Sequence, residues 1–355
     1  MQRLAELESE GLDVKKSKKI WETLKVPGMP DSRAMQIYEV PVLPQAQDQA
    51  RYGGAKSVVV KVFVNEQEPP PGEAKIAVLL HKVNPLYTPN ILRYFSLPPN
   101  HAQHNYCIPM ERMVYTLESF INEKVAPQRK ELRSKLNDNK MDPTDEDLLA
   151  YARLTMHTCG RVCAAIISAM QQLHETCGLI HRDVKPTNVG ISPDGVIKLF
   201  DFEGAREYDK KTKESKVKDV GVGTPWYQSL RIDDLLAEHR KPDEIPPSPV
   251  PGTYSLADDM ESALYTCASV FDDLPWTLTP MDVPSAKRKF WAEDCSEDPV
   301  FGHAYLQSIY AERTDYPKLL RRLNAALDDW FSDHILVNLS PKAKVDARTF
   351  RTKLN

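Results

Sequence analysis

The run from Leu179 to Ala205, L-I-H-R-D-V-K-P-T-N-V-G-I-S-P-D-G-V-I-K-L-F-D-F-E-G-A, sets two polar clusters among apolar residues. Moving a phosphoryl group onto a hydroxyl calls for a carboxylate to take the hydroxyl proton, metal ions to neutralise phosphates, and a cation beside the group in flight. Asp183 can orient the hydroxyl, and Lys185, two residues on, can reach the transferred group. Asn188 offers a carboxamide oxygen suited to a hard ion such as Mg2+. Asp201 offers a second, stronger ligand from the next strand, and the turn S-P-D-G between the strands returns it towards Asn188. Every role in that chemistry has a residue.

At these residues the chain resembles the eukaryotic protein kinase superfamily. His181 to Asn188 matches H-R-D-L, three variable positions and Asn, with Val184 in place of leucine. Lysine at position 185 resembles the Ser/Thr members. V-V-V-K-V-F places Lys61 in a strand, similar to V-A-I-K, whose lysine pairs the ATP α/β-phosphates. T-P-N-I-L-R-Y-F (88–95) resembles the loop and strand that follow the αC helix. Y-C-I-P-M-E-R-M (106–113) resembles the strand leading into the inter-lobe hinge, with Met110 as gatekeeper and Glu111 beside it at the nucleotide. G-T-P-W-Y-Q-S (223–229) resembles the substrate-positioning end of an activation loop. A-D-D-M-E-S-A-L (257–264) resembles the start of a helix whose Asp259 would brace the catalytic loop.

The resemblance covers about residues 55–335. It implies an α+β, bilobal protein-kinase-like fold, with a small antiparallel-sheet N-lobe and a larger, mainly helical C-lobe. It also implies a protein serine/threonine kinase that transfers the ATP γ-phosphoryl group to protein hydroxyls. Asp183 would be the base and Lys185 its electrostatic partner. ATP would meet Lys61, Met110 and Glu111, with Mg2+ on Asn188 and Asp201. The alternative is an inactive pseudokinase that serves as an ATP-binding scaffold or regulator. A small-molecule kinase fits G-T-P-W-Y less well.

Three departures bear on activity. The stretch before Lys61 where a glycine-rich phosphate loop belongs reads Y-E-V-P-V-L-P-Q-A-Q, without glycine; Gly53 and Gly54 are the nearest substitutes. Glycines let backbone amides approach phosphates closely. The αC glutamate that should pair with Lys61 is either Glu73 or absent, since matching K-I-A-V-L to the family's helix puts Lys75 in its place. D-F-G reads Asp201-Phe202-Glu203, with Gly204 one place late, and Arg231 stands where the A-P-E glutamate would be.

These residues need a scaffold. Met35 to Val42, Ser57 to Val64 and Tyr106 to Met113 read as strands, and Ala74 to Val83 as a helix. A strong amphipathic helix is expected from about Asp147 to His174, and others over 257–271 and 316–331. Residues 1–25 read as a charged amphipathic helix, with Leu4, Leu7, Ile20 and Leu24 as its apolar positions. The charged stretch 123–148 reads as a solvated insertion, and I-P-P-S-P-V-P (245–251) as a loop. The expected organisation is an N-terminal extension (1–34), an N-lobe (35–114), a C-lobe (115–335) and a tail (336–355).

Composition narrows the class further. The chain has 355 residues, 27% of them charged, and a net charge of −4, which gives no reason to expect nucleic acid as a partner. The expected partners are ATP and a protein substrate. Six scattered cysteines and a charged start without an apolar run point to reduced thiols and a cytoplasmic or nuclear setting. No apolar stretch suits a membrane span. Cys159 and Cys163 share a helical face near His157, but a fourth zinc ligand is missing, so core cysteines are expected. Arg182 could receive a phosphate on Thr212, Ser215 or Thr224; the other reading of that lysine-rich stretch is an exposed basic loop.

Overall fold

The computed structural model describes residues 11–23, 34–44, 56–66, 72–83, 86–88, 95–97, 104–136, 143–239, 248–277, 282–292, 310 and 312–351. Gly53, Gly54, His101, Cys295, most of 88–95 and residues 245–247 lie outside them.

The first part of the chain builds a five-stranded antiparallel sheet. Its strands are β1 (Lys18–Thr23), β2 (Ala34–Pro41), β3 (Ser57–Glu66), β4 (Phe95–Leu97) and β5 (His104–Glu111), in the order β1-β2-β3-β5-β4. Val58, Val60 and Val62 alternate along β3 and bury with Val40, Val42, Leu12 and Val14. Period-two alternation turns Lys61 to the opposite face. Helix α1 (Gly72–Val83) follows β3 and sends Ile76 and Leu80 into the main core.

The larger part is helical. After β6 (Tyr115–Thr116), α2 (Leu117–Phe120) runs through a π-helical turn, Ile121–Val125, into α3 (Ala126–Leu136). The expected long helix spans α4 (Asp145–Ala152), a π-helical segment (Arg153–Gly160), α5 (Arg161–Gln171) and a last π-helical turn (Gln172–Thr176). Thr144 caps its start by accepting from the Asp147 amide. Short strands follow: β7 (Leu179–Ile180), β8 (Val189–Ile191), β9 (Ile197–Leu199), β10 (Arg206–Glu207), β11 (Glu214–Val217) and β12 (Gly252–Ser255). The remaining helices are α6 (Leu230–His239), α7 (Leu256–Phe271), α8 (Val283–Ala292), α9 (Tyr316–Trp330) and α10 (Pro341–Arg351). α7 is the central pillar, and nearly all of its residues are buried. Ile76 and Ile108 of the small lobe share one core with this helical body.

Two expectations are corrected. Lys18–Thr23 is an edge strand paired with β2, not part of a helix. Ile20 is 46% exposed, so no helical face there meets the core, and pairing to β2 decides the conformation. The stretch 123–136 is not a solvated insertion but helix packed on the body. Ile121, Val125, Leu132 and Leu136 recur at helical spacing and join the main core. Arg129, 6% exposed, donates to the Val270 carbonyl at 3.2 Å. Long cationic side chains cover apolar surface with their stems, which made this segment read as more polar than it packs.

Candidate active site

The antiparallel pairing of β8 with β9 matches Val189 to Leu199, and the Phe200 amide donates to the Asn188 carbonyl at 3.0 Å. Asn188 and Asp201 therefore leave the same end of one hairpin, as the spacing implied. Asp183 stands across from them. The Asn188 amide nitrogen donates to Asp183 Oδ2 and to its carbonyl, both at 2.9 Å. These two bonds leave the Asn188 carboxamide oxygen free to face a cation.

The loop that presents Asp183 is bent through Arg182, which adopts φ +73. A non-glycine residue there needs support, and Asp259 at the start of α7 supplies it. Its carboxylate accepts from the His181 amide at 2.6 Å and the Arg182 amide at 2.7 Å. His174 Nε2 lies 2.9 Å from the same carboxylate. Burial opposes the charge on Asp259, but these hydrogen bonds hold its carboxyl below the usual carboxylate range. His181 packs against Phe202 with ring centroids 5.0 Å apart.

Asp183, Lys185 and Thr224 close a triangle. Lys185 Nζ is 2.8 Å from Asp183 Oδ2 and donates to the Thr224 hydroxyl at 2.7 Å; that hydroxyl donates to Asp183 Oδ1 at 2.9 Å. Thr224 was visible in G-T-P-W-Y, yet nothing in the linear sequence tied it to Asp183. The preceding Gly223 has φ +127, and a Cβ there would come within 2.6 Å of the Arg182 carbonyl, so glycine is required. A cleft of about 340 Å³ opens beside the triangle, lined by Glu118, Ile121, Thr187, Trp226, Tyr227 and Leu274 among others.

A second cluster joins the lobes. Lys61 Nζ lies 2.6 Å from Glu73 Oε2 and 2.8 Å from Asp201 Oδ1. Glu73, in the first turn of α1, is thus the partner of Lys61, while Lys75 is exposed. Of the two alternatives, Glu73 or none, the structure has Glu73, and the match of K-I-A-V-L to the family's helix is off by two residues, about half a turn. Burial opposes the charge on Lys61, yet Glu73 and Asp201 together hold its pKa above the usual lysine value. Burial pushes Glu73 up to about 7 against the pull of Lys61. Partial burial opposes the charge on half-buried Asp201, but Lys61 keeps its carboxyl below the ordinary range.

The D-F-E departure is accommodated without strain. Among the described residues, the non-glycine positions with positive φ are Arg182, Asp201 and Lys213, so Glu203 needs no glycine's freedom in this conformation. Gly204 is the tight position, since a Cβ there would meet Val222 at 3.3 Å and the His181 carbonyl at 3.4 Å. Met110 is half-buried against the main core opposite Val59. The Glu111 side chain pairs with buried Lys198 at 2.6 Å, a link from β5 to β9 that sequence reading missed.

Arg182 does not face a phosphate site. It is 2% exposed, donates to the Gly204 carbonyl at 3.2 Å and to that of Asp219, and lies over the Tyr254 ring. Thr224 is engaged by Asp183 and Lys185, and Ser215 is buried in the β11–β12 pair. Thr212 is exposed, as are Lys210, Lys211, Lys213, Lys216 and Lys218 around it.

Among the described residues no group of three or more His, Cys, Asp or Glu side chains could hold a metal by itself. One carboxylate and one carboxamide oxygen on a hairpin end fit Mg2+ that takes its other ligands from phosphates and water. No helix among the described residues is long and apolar enough to cross a membrane.

A fold of this kind, with a lysine–glutamate pair bridging the lobes above an H-R-D loop, defines a protein kinase domain. The sequence profile of the family described as Protein kinase domain matches residues 50–232, and the chain belongs to that family. The chain is 31% identical over 90 residues to Serine/threonine-protein kinase PAK 4 of Homo sapiens, a match covering 25% of this chain and 15% of that protein. It is 37% identical over 76 residues to Probable serine/threonine-protein kinase PknB of Bifidobacterium longum, covering 21% and 11% respectively. It is 30% identical over 127 residues to Citron Rho-interacting kinase of Mus musculus, covering 36% of this chain and 5% of that protein. The chain thus spans a small fraction of these relatives' length.

Proposed function

We propose that this protein is a catalytically competent protein serine/threonine kinase. What supports the reading is the triangle of Asp183, Lys185 and Thr224 beside an intact Lys61–Glu73–Asp201 chain. Asp183 orients the acceptor hydroxyl and takes its proton. Lys185 lies beside the transferred group and stabilises its charge. Lys61 holds the α/β-phosphates of ATP, and the hinge at Met110 and Glu111 holds the base through backbone, since the Glu111 side chain is engaged by Lys198. Asn188 and Asp201 would hold Mg2+, which supplies charge neutralisation for the phosphates. The two serine/threonine-protein kinases among the relatives support serine or threonine as acceptor.

The scaffold reading rests on the glycine-free stretch 38–47. Thermal unfolding separates a kinase site from a scaffold that takes up no Mg·ATP. Mg·ATP at a hundred times its Kd is expected to stabilise by about 2.7 kcal/mol. ATP with chelator should stabilise much less, and Asp201→Asn should abolish the difference. A midpoint indifferent to metal in the wild-type protein would count for the scaffold.

With both terminal nitrogens of Arg182 bonded to carbonyls, activity is not expected to depend on activation-loop phosphorylation. Phosphatase-treated protein should phosphorylate a generic acceptor within about twofold of untreated protein. A tenfold drop would mean that a phosphate contact rebuilds this loop.

A further inference from the structure

Lys287 is a buried cation with no part in the phosphoryl-transfer cluster. It lies in the middle of α8 with its side chain wholly excluded from solvent. Taking an ammonium out of water costs several kcal/mol unless its donors are all met. They are met here by three acceptors: the Pro225 carbonyl at 2.7 Å, the Gln228 carbonyl at 2.8 Å, and Asp233 Oδ2 at 2.7 Å. The ammonium also lies 5.3 Å from the Tyr265 ring centroid.

These acceptors share one location. Two belong to the short segment after Gly223, and Asp233 sits in α6, which continues directly from it. Trp276, 2% exposed, donates its indole N–H to the Trp226 carbonyl at 2.9 Å. Three carbonyls, those of Pro225, Trp226 and Gln228, are therefore bound by side chains from the same flank of the large lobe. At its front end the segment carries Thr224, bonded to both Asp183 and Lys185. Between the two ends it exposes Trp226, 50% accessible, and with Tyr227 forms one wall of the cleft beside Asp183. The glutamate that anchors this region in the family's pattern is absent. Arg231 in its place bonds to Asp258 and the Thr253 carbonyl instead.

We propose that Lys287 is a positioning residue for the protein acceptor. Through the Pro225 and Gln228 carbonyls it fixes the Trp226–Tyr227 wall against which an acceptor segment would lie, and it keeps Thr224 on Asp183. The inference rests on the kinase reading of the site. An ion pair that served stability alone would be replaceable by apolar residues of similar volume with stability kept or raised. A clamp on two carbonyls would not be, because apolar atoms leave those carbonyls unpaired.

The test uses the full chain with Lys287→Met/Asp233→Leu, which removes both charges together. Hydrogen exchange at the Tyr227 and Gln228 amides, both bonded to the Thr224 carbonyl, is expected to quicken about tenfold or more. This readout needs no catalysis, so it stands even if the wild-type protein transfers no phosphate. With a degenerate serine-peptide mixture as acceptor, the peptide KM should rise about tenfold while the KM for ATP stays within about twofold. Should the double variant fail to fold, Lys287→Arg carries the same test. A guanidinium keeps a charge opposite Asp233 but cannot meet both carbonyls as a point ammonium does. Unchanged exchange in a folded variant, or losses shared equally between peptide and ATP, would overturn the proposal.

Discussion

Asp183→Asn is expected to lower kcat by roughly 10²–10⁴, with the fold and nucleotide affinity retained. The carboxylate is the group proposed to take the acceptor's proton, and asparagine offers no such base. Its shape is nearly unchanged; the single carboxamide oxygen can accept from Thr224, and Asn188 still donates to the backbone carbonyl of residue 183. The supporting frame lies elsewhere: Asp259 holds the His181 and Arg182 amides irrespective of the side chain at 183. The comparison is initial-rate phosphate transfer at saturating Mg·ATP, with thermal midpoints for both proteins. A wild-type rate no higher than the variant's would end the enzyme hypothesis and leave a kinase-shaped scaffold.

The helical lobe was largely readable from the chain because its signals are local. The apolar face through Leu154, Ile166, Met170 and Leu173 repeats at helical spacing, and all four side chains are buried. Between Asn188 and Asp201 the hairpin leaves little freedom, so a short sequence interval placed two ligands at one end. The first strand and the helix over 126–136 were hidden for the opposite reason. In both, the deciding contact lies outside the segment: the neighbouring strand β2 for Lys18–Thr23, and the distant end of α7 for Arg129. A charged composition does not reveal that a guanidinium ends on a buried carbonyl 141 residues away.

The same division runs through the site. Residues inside the H-R-D segment could be named from their order alone. Their partner Thr224 could not, nor could the Glu111–Lys198 and Asp233–Lys287 pairs, because these contacts form only once the chain closes on itself. Glu73 shows the limit most plainly. A shift of two residues along a helix turns a side chain by about 200°, and a sequence match in a short helix does not resolve that shift.

Lys61→Met is expected to remove nucleotide binding and to destabilise the fold by about 3–5 kcal/mol, the usual cost of stripping one partner from a buried charge cluster. Both effects trace to one ammonium that faces Glu73 at 2.6 Å and Asp201 at 2.8 Å. Their dependence on pH differs, and the signs follow from the two carboxyls. Asp201 is held below its usual range by Lys61, so its share of the stability is present above the unfolded carboxylate range and is lost in the variant even near pH 5. Glu73 is raised to about 7, so its own contribution is greatest below the unfolded value and fades as pH rises through about 7. Without Lys61 that fading continues to higher pH, because no cation remains to offset the buried carboxylate. Urea denaturation should therefore show a deficit that is present at pH 5 and larger at pH 8. Lys61→Met/Glu73→Leu should recover much of the stability at pH 8 without recovering Mg·ATP binding, since the phosphates still lack their cation. A double variant that regained nucleotide affinity would show that Lys61 serves the lobe contact alone, and a single variant as stable as wild type at both pH values would show that the cluster holds no buried charge.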